Sequence, residues 1–503
     1  MGEIMEGLQQ IISSVKKDEL PESEIIKVYE KSLFKEKETS IIVIKAENEK
    51  YLLAVGNDHL FQDLNGEEYG NDAKLCPLTH ENRLVLNEYF DFTKPRAFGQ
   101  NETTIGLGDR LGLATPGHVE AVRTSKMRPV FAQQSIRELD LTNRKMEDVI
   151  DSAAYSVIQE GYTDGYGADG DHLKEESDIK HELELGISML TLDCSDYIRN
   201  DVDLDNQDEV EAAYQPFNQE IKQYYEDKYL GKSYQIEHND LVFDKHELMK
   251  VVVVYHKAIE YMVYIYKTYI EPLDRDIDFE ISIDETMTIT TPFDHFFVSK
   301  ELYDQDVQVT SLAPRFCGEF QKGIDYIGDI AQFEQELEVH ANIADYFKYK
   351  LSIHSGSDKF SVFPLISEKT HKRFHLKTAG TNWLEAVRLI AIHEPNLYRN
   401  IHQYALDHFA ETQKYYHITP NIEDIKPIEQ LTETQYISYL EDDNARQLLH
   451  VSYGLLLTVK NDNGHYIFKD DIYAVLEKYE DEYAELLKNH IGKHLDLLNF
   501  NSK

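Results

Sequence analysis

Between residues 105 and 412, short apolar runs alternate with polar turns and with longer stretches whose apolar residues recur three and four apart. Eight runs read as strands: Gly108–Thr115, Arg128–Gln134, Gly161–Asp171, Ile187–Asp193, Asp278–Ile283, Val307–Leu312, Tyr349–Ile353 and Phe374–Lys377. Each ends in a turn rich in Gly, Ser, Asp or His, and most lead into a helical pattern. Repeated strand–helix units in that number predict an α/β fold, a (β/α)8 barrel over residues 101–412, with its active site at the C-terminal ends of the strands.

The flanks have a different texture. Residues 1–100 predict an N-terminal α/β appendage. Leu8, Ile11, Ile12 and Val15 have helical spacing, and Ser40–Lys45 and Tyr51–Val55 form a hairpin-like pair. An acidic, aromatic insertion at 200–245 follows the fourth strand, and reads either as a lid on the catalytic face or as a solvated surface subdomain. Residues 413–503 predict a C-terminal helical extension. Its last helix, Phe468–Phe500, carries a stripe from Ile472 through Leu487 to Leu498, which packs against the barrel or against a second subunit.

Charge narrows the partners. The chain holds 92 acidic against 51 basic side chains, a formal net charge of −41, which excludes nucleic acid and anionic membrane surfaces as partners. Its three cysteines, Cys76, Cys194 and Cys317, are far apart and give no disulfide framework or zinc-knuckle spacing, as expected of a cytoplasmic protein. No secretory signal opens the sequence. Charges interrupt the most apolar run, Val251–Ile270, so it predicts a buried helix and not a membrane span.

Candidate chemistry gathers at the strand ends. The first supplies Asp109, Arg110, Thr115 and His118; the third Asp169, Asp171 and His172; the fifth Glu280, Asp284 and Glu285; the seventh His354, Ser355, Asp358 and Lys359. Two histidines and two or three carboxylates from different strands suit one divalent cation with positions left open for substrate. Of the adjacent Asp284 and Glu285, one is expected to face the barrel mouth and the other to cap a helix. An anionic substrate would need local cations, for which Arg110, Lys174, Arg315 and Lys377 are candidates; each also has an ion-pair alternative. DGDH lacks the spaced ligands of an EF-hand, and no dinucleotide fingerprint, Walker loop, GxSxG or CxxC motif is present.

The runs GLGDRLGLATPGHVEAVR, FAQQSIREL, GYTDGYGADGDHLK, SIDET and SIHSGSDKF resemble the tagaturonate epimerase (hexuronate C4-epimerase) family over residues from about 100 to 455. The resemblance implies a metal-dependent, barrel-type isomerase that interconverts two sugar acids, D-tagaturonate and D-fructuronate, in hexuronate catabolism. It implies His172, His354 and Asp171 as ligands of a divalent ion and Glu285 as an acid/base residue; Asp171 and Asp169 are added as catalytic carboxylates from their place at the third strand end. Histidine and carboxylate ligands leave Zn, Mn, Ni and Fe open. Another metal-dependent sugar isomerase or aldolase on the same fold is the alternative.

Overall fold

In DFEIS, KLSI and FHLKT every second residue is apolar and the residues between are polar. Successive strand side chains face opposite ways, so one face of each strand is greasy and the other carries chemistry. In the computed structural model, which describes residues 2–286 and 288–501, these strands close into a parallel barrel. We number them β1 (Thr104–Leu107), β2 (Arg128–Ser135), β3 (Gly167–Leu173), β4 (Met189–Asp193), β5 (Asp278–Ser282), β6 (Ser311–Ala313), β7 (Lys350–Ile353) and β8 (Phe374–Thr378). Neighbours in sequence are neighbours in space, and β8 returns to pair with β1 from His375 opposite Thr104 to Thr378 opposite Leu107.

The apolar faces, including Leu190, Leu192, Phe279, Ile281, Leu351 and Leu376, join one large core with the surrounding helices. The barrel interior is polar. His375 Nδ1 lies 2.7 Å from Thr104 Oγ1, Lys350 donates to the same hydroxyl at 3.2 Å, and Glu280, Thr191, Asp169 and Lys377 form the next connected group. Buried polar groups are stabilised by partners, and within each of these two groups the side chains bond one another.

The first strand lies earlier than its pattern suggested. GDRLGLAT is the loop after β1, folded around Asp109, whose carboxylate accepts from the backbone of Leu111, Gly112 and Ala114 at 3.0, 2.8 and 2.8 Å. Three backbone donors on one side chain turn an apolar run into a compact loop. Asp109 therefore has a structural task.

Ahead of the barrel, six strands between Lys27 and Pro77 form a mixed-length antiparallel sheet. Thr39–Ala46 and Glu49–Val55 make the expected hairpin; its two turn residues, Glu47 and Asn48, have φ of 51° and 71°, as a two-residue hairpin turn requires. One sheet face packs on the helix Gly2–Lys16 through Leu8, Ile11 and Val15. The other meets Tyr155 and Ile158 of the helix Met146–Gln159, which follows β2. Burial on both faces explains why the four central residues of SIIVIK, 41–44, are apolar without alternation.

Residues 200–245 form the helices Gln207–Tyr214 and Gln219–Tyr229 and the hairpin Ser233–Ile236 with Asn239–Val242. They pack on the outer helices: Tyr229 donates to Glu301 at 2.5 Å and Lys228 pairs with the same buried carboxylate at 2.6 Å. Of the two readings of the insertion, the surface subdomain is the one the packing supports. Val251–Ile270 lies in the buried helix Lys245–Ile265 and its continuing π turn, Tyr266–Ile270. Among the described residues no helix is long and apolar enough to cross a membrane.

The expected last helix is two, Lys469–Lys478 and Glu480–Leu497, broken at Tyr479. Its stripe is divided between two cores. Ile472, Leu476, Tyr483 and Leu487 join Trp383 and Tyr398 in a second cluster, while Ile491, Leu495 and Leu498 complete the barrel's own.

Candidate active site

At the end of β3 the regular alternation of side chains fails. Met189 and Leu190 pair with Asp169 and Gly170, but Leu192 pairs with Leu173, so Asp171 and His172 together oppose one residue of β4. This is a β-bulge, and His172 takes the left-handed conformation with φ of 57°. A regular strand would send these adjacent side chains to opposite faces. The bulge instead brings both to the wall of one cavity at the C-terminal end of the barrel.

That cavity, about 320 Å3, is lined by Asp171, His172, Asp284, Glu285, His354 and Lys377 from the strand ends. Further wall comes from Arg137 and Glu138 after β2, from the loop Pro314–Lys322 after β6, and from Tyr415–His417 of the C-terminal region. The cover is thus supplied by the β6 loop and the extension; no residue of the 200–245 insertion lines it.

His172 Nδ1 lies 2.7 Å from Asp171 Oδ1, which leaves Nε2 as its ligand atom. His354 Nδ1 lies 3.1 Å from Asp284 Oδ2, its Nε2 lies 2.9 Å from Glu280 Oε1, and the two rings are 4.9 Å apart between centroids. Ser282 donates to Asp284 at 2.6 Å, and Ser311 to Glu280 at 2.6 Å. His172, Asp284 and His354 each offer one ligand atom, all within 4.8 Å of one another. Two imidazoles and a carboxylate with room beside them fit a divalent cation with open positions. The carboxylate that joins the histidines is Asp284. Asp171, expected as a ligand, stands behind His172 and orients its ring, the arrangement common around metal-bound histidines.

Electrostatics agree with that geometry. Burial alone would lower His354, yet Asp284 and Glu280 lift it to about 10. An imidazole gripped by two carboxylates is a place where positive charge is stabilised. Burial opposes ionisation of Asp284 too, but His354 and His172 hold it far below the usual carboxylate range. Beneath them Lys377, whose burial would lower it, is held well above its ordinary value by Asp169, Asp171 and Glu280. Its ammonium lies 2.9 Å from Asp169 Oδ2 and 3.1 Å from Glu280 Oε1, and also bonds Asp171. Burial, only partly offset by Lys377, pushes Asp169 up to about 6.

The other expected site residues lie as follows. Glu285 and Arg315 line the cavity, and an Arg315 guanidinium nitrogen bonds the Thr286 carbonyl. Asp284 and Glu285 thus both line the cavity, although only one of the pair was expected to face the mouth. Asp169 is fully buried below the cavity lining and holds Lys377 and Thr191. Arg110 is buried behind the wall, with both Nε and Nη2 on Glu138 and its guanidinium 3.8 Å from the Tyr453 ring centroid. Lys174 lies outside the cavity lining and bonds Ser195 at 2.6 Å. Neither Arg110 nor Lys174 is placed to meet a ligand in the cavity.

Asp358 and Lys359 turn away from the cavity to anchor the β7 loop. Asp358 pairs with Arg446 at 2.7 Å and His490 at 2.9 Å, while Lys359 donates to the carbonyls of Gln321, Ile324 and Ser357 at 2.8, 2.6 and 2.9 Å. His494 could complete a second metal trio with Asp358 and His490, but its Nε2 accepts from the Asp358 backbone at 3.1 Å. The cluster works as a clamp on the loop that presents His354.

A family model described as tagaturonate epimerase matches residues 29–498. A tagaturonate/fructuronate epimerase of Thermotoga maritima is 40% identical over 478 residues, covering 94% of this chain and 96% of its own. The native crystal structure of fructuronate-tagaturonate epimerase from Cohnella laeviribosi is 54% identical, with a TM-score of 0.92 over 94% of this chain and 96% of that one. A glycerol complex of the same enzyme superposes with a TM-score of 0.93 at 53% identity, over 98% and 99% of the two chains. The chain belongs to the tagaturonate epimerase family.

Proposed function

We propose that this protein interconverts D-tagaturonate and D-fructuronate by inverting the hydroxyl-bearing C4, counted from the ketose end. The observation that carries the reading is the cavity at the barrel's catalytic end, where His172, Asp284 and His354 converge beside Glu285. The named activities of the Thermotoga and Cohnella relatives supply the substrate.

The C4 hydrogen is β to the ketone, which does not acidify it, so direct proton removal is unfavourable. Breaking the C3–C4 bond avoids that difficulty. Glu285 accepts the proton of the C4 hydroxyl; the C3–C4 electron pair moves toward the C2 carbonyl, leaving an enediolate on one fragment and an aldehyde at C4 of the other. The aldehyde turns its opposite face, C3 re-adds, and Glu285 returns the proton. His172, His354 and Asp284 are the residues that would hold a divalent ion, whose bound charge would stabilise negative charge developing on the substrate's keto oxygen. Zn, Mn, Ni and Fe all suit such ligands. Asp171 fixes the ring of His172, and Lys377 keeps Asp171 ionised for that task.

Incubation with D-tagaturonate in deuterium oxide, followed by NMR, tests the route. The expected result is D-fructuronate with protium retained at C4. Deuterium at C4 would contradict carbon–carbon cleavage, and absence of D-fructuronate would contradict the assignment itself.

A further inference from the structure

The cations lining the cavity are not equivalent. Lys377 is shared among three carboxylates, Arg315 bonds the Thr286 carbonyl, and His417 lies 3.4 Å from Glu319. Arg137 donates to the Tyr415 carbonyl at 3.3 Å and stacks 4.7 Å from the Tyr416 ring centroid. Lys322 also lines the cavity and is part-buried, yet its ammonium has no hydrogen-bond or ion-pair partner among the described residues. Burial lowers its pKa, with Glu138 the leading opposing charge. That carboxylate is already bonded twice by Arg110.

The backbone around this lysine is, by contrast, held from several sides. The Gln321 side chain accepts from Thr419 N at 3.0 Å and Gln447 Nε2 at 2.8 Å, and the Gln321 carbonyl accepts from Lys359 at 2.8 Å. Gly323, at φ of 82°, gives its carbonyl to Arg446 Nε at 2.7 Å. A loop clamped by three side chains and one backbone amide from two regions, with one free ammonium at the cavity wall, is preorganised to receive an anion.

We infer that Lys322 binds the carboxylate of the substrate and sets the preference for a sugar acid over the neutral ketose of the same configuration. The inference rests on reading the cavity as a sugar-acid site. The residue lies on the β6 loop, away from the strand ends that carry His172, Asp284 and His354. In the inferred binding mode the acid places its carboxylate on the loop and its keto end at the histidines, since both line one cavity. A charge-assisted bond in a partly desolvated site is worth about 10- to 100-fold in affinity.

Binding of D-tagaturonate and of D-tagatose, its uncharged counterpart, is measured by calorimetry on the full chain with Lys322 intact and with Lys322→Met and Lys322→Arg. Wild-type protein should bind the acid at least about tenfold more tightly than the neutral sugar. Lys322→Met should remove most of that difference without weakening D-tagatose, and Lys322→Arg should restore much of it. Turnover of D-tagaturonate by Lys322→Met should show KM raised far more than kcat is lowered. An acid preference unchanged in Lys322→Met, no preference in the wild type, or equal weakening of both sugars would overturn the inference. Because binding is read apart from turnover, failure of the epimerase assignment would show separately as sugar-acid binding without interconversion.

Discussion

Asp171 and His172 are adjacent in sequence but have different tasks. One is a candidate ligand; the other bonds the ligand's far nitrogen at 2.7 Å. Removing the imbalance between them should separate the tasks. His172→Ala is expected to lose bound metal and turnover together while the chain stays folded, measured by elemental analysis, activity and circular dichroism. Asp171→Asn keeps the shape but removes the negative charge behind the ring, and should weaken metal affinity or turnover by about 10- to 100-fold. Metal-replete, fully active His172→Ala would take His172 out of the site. The sequence already exposed His172 and His354, because each stands at the end of an apolar run near glycine or serine, although His172 proves to lie on the bulge within β3 and not beyond it. It did not expose Asp284 as their partner, nor Asp171 as a positioning group. Those roles depend on a one-residue bulge and on which of two adjacent carboxylates meets His354, and both are settled by strand register. Lys322 was missed for a further reason: it lies on a long loop with no strand-end pattern around it, and only its lack of a partner distinguishes it.

At the level of elements, the alternation in β5, β7 and β8 was legible because their outer faces pack on helices and their inner faces are polar. β1 was not, since TIGL is short and uniformly buried, while the loop after it is equally apolar and is folded by a single aspartate. The same scale contains the join between the first sheet and the last helix. Glu480, at the start of Glu480–Leu497, takes Lys27 at 2.7 Å, Tyr29 at 2.7 Å and Lys50 at 3.0 Å. Burial alone would raise Glu480, but Lys50, Lys27 and Tyr29 hold it down at about 2. Its folded value lies below its unfolded one, so its contribution is present above about pH 4.5 and is lost as pH falls through about 2. Glu480→Gln should therefore lower urea stability at pH 7 by about 1–3 kcal/mol, and the gap to wild type should narrow as the pH is lowered below 4.5. An equal gap at pH 7 and pH 3 would mean that the carboxylate's charge is not what joins the two elements.

Across the whole molecule, the C-terminal region does more than extend the barrel. Tyr415–His417 line the cavity, Arg446 and His490 hold Asp358 in the loop that presents His354, and Arg446 and Gln447 clamp the loop bearing Lys322. Periodicity alone could describe these helices as packing surfaces; it could not reveal that their polar residues support two catalytic-face loops far away in the sequence, as Arg446 does for Gly323 and Asp358. The acidic insertion shows the converse, a conspicuous segment placed by its aromatic residues on the outside of the barrel. In the proposed function these parts assemble one metal-assisted sugar-acid epimerase site around His172, Asp284 and His354. The decisive measurement is elemental analysis of the purified chain coupled to the D-tagaturonate–D-fructuronate assay, before chelation, after chelation and after metal is returned. The expected result is about one divalent ion per chain, interconversion that disappears with the ion, and recovery when it is restored. Full interconversion by a chain stripped of metal would contradict it.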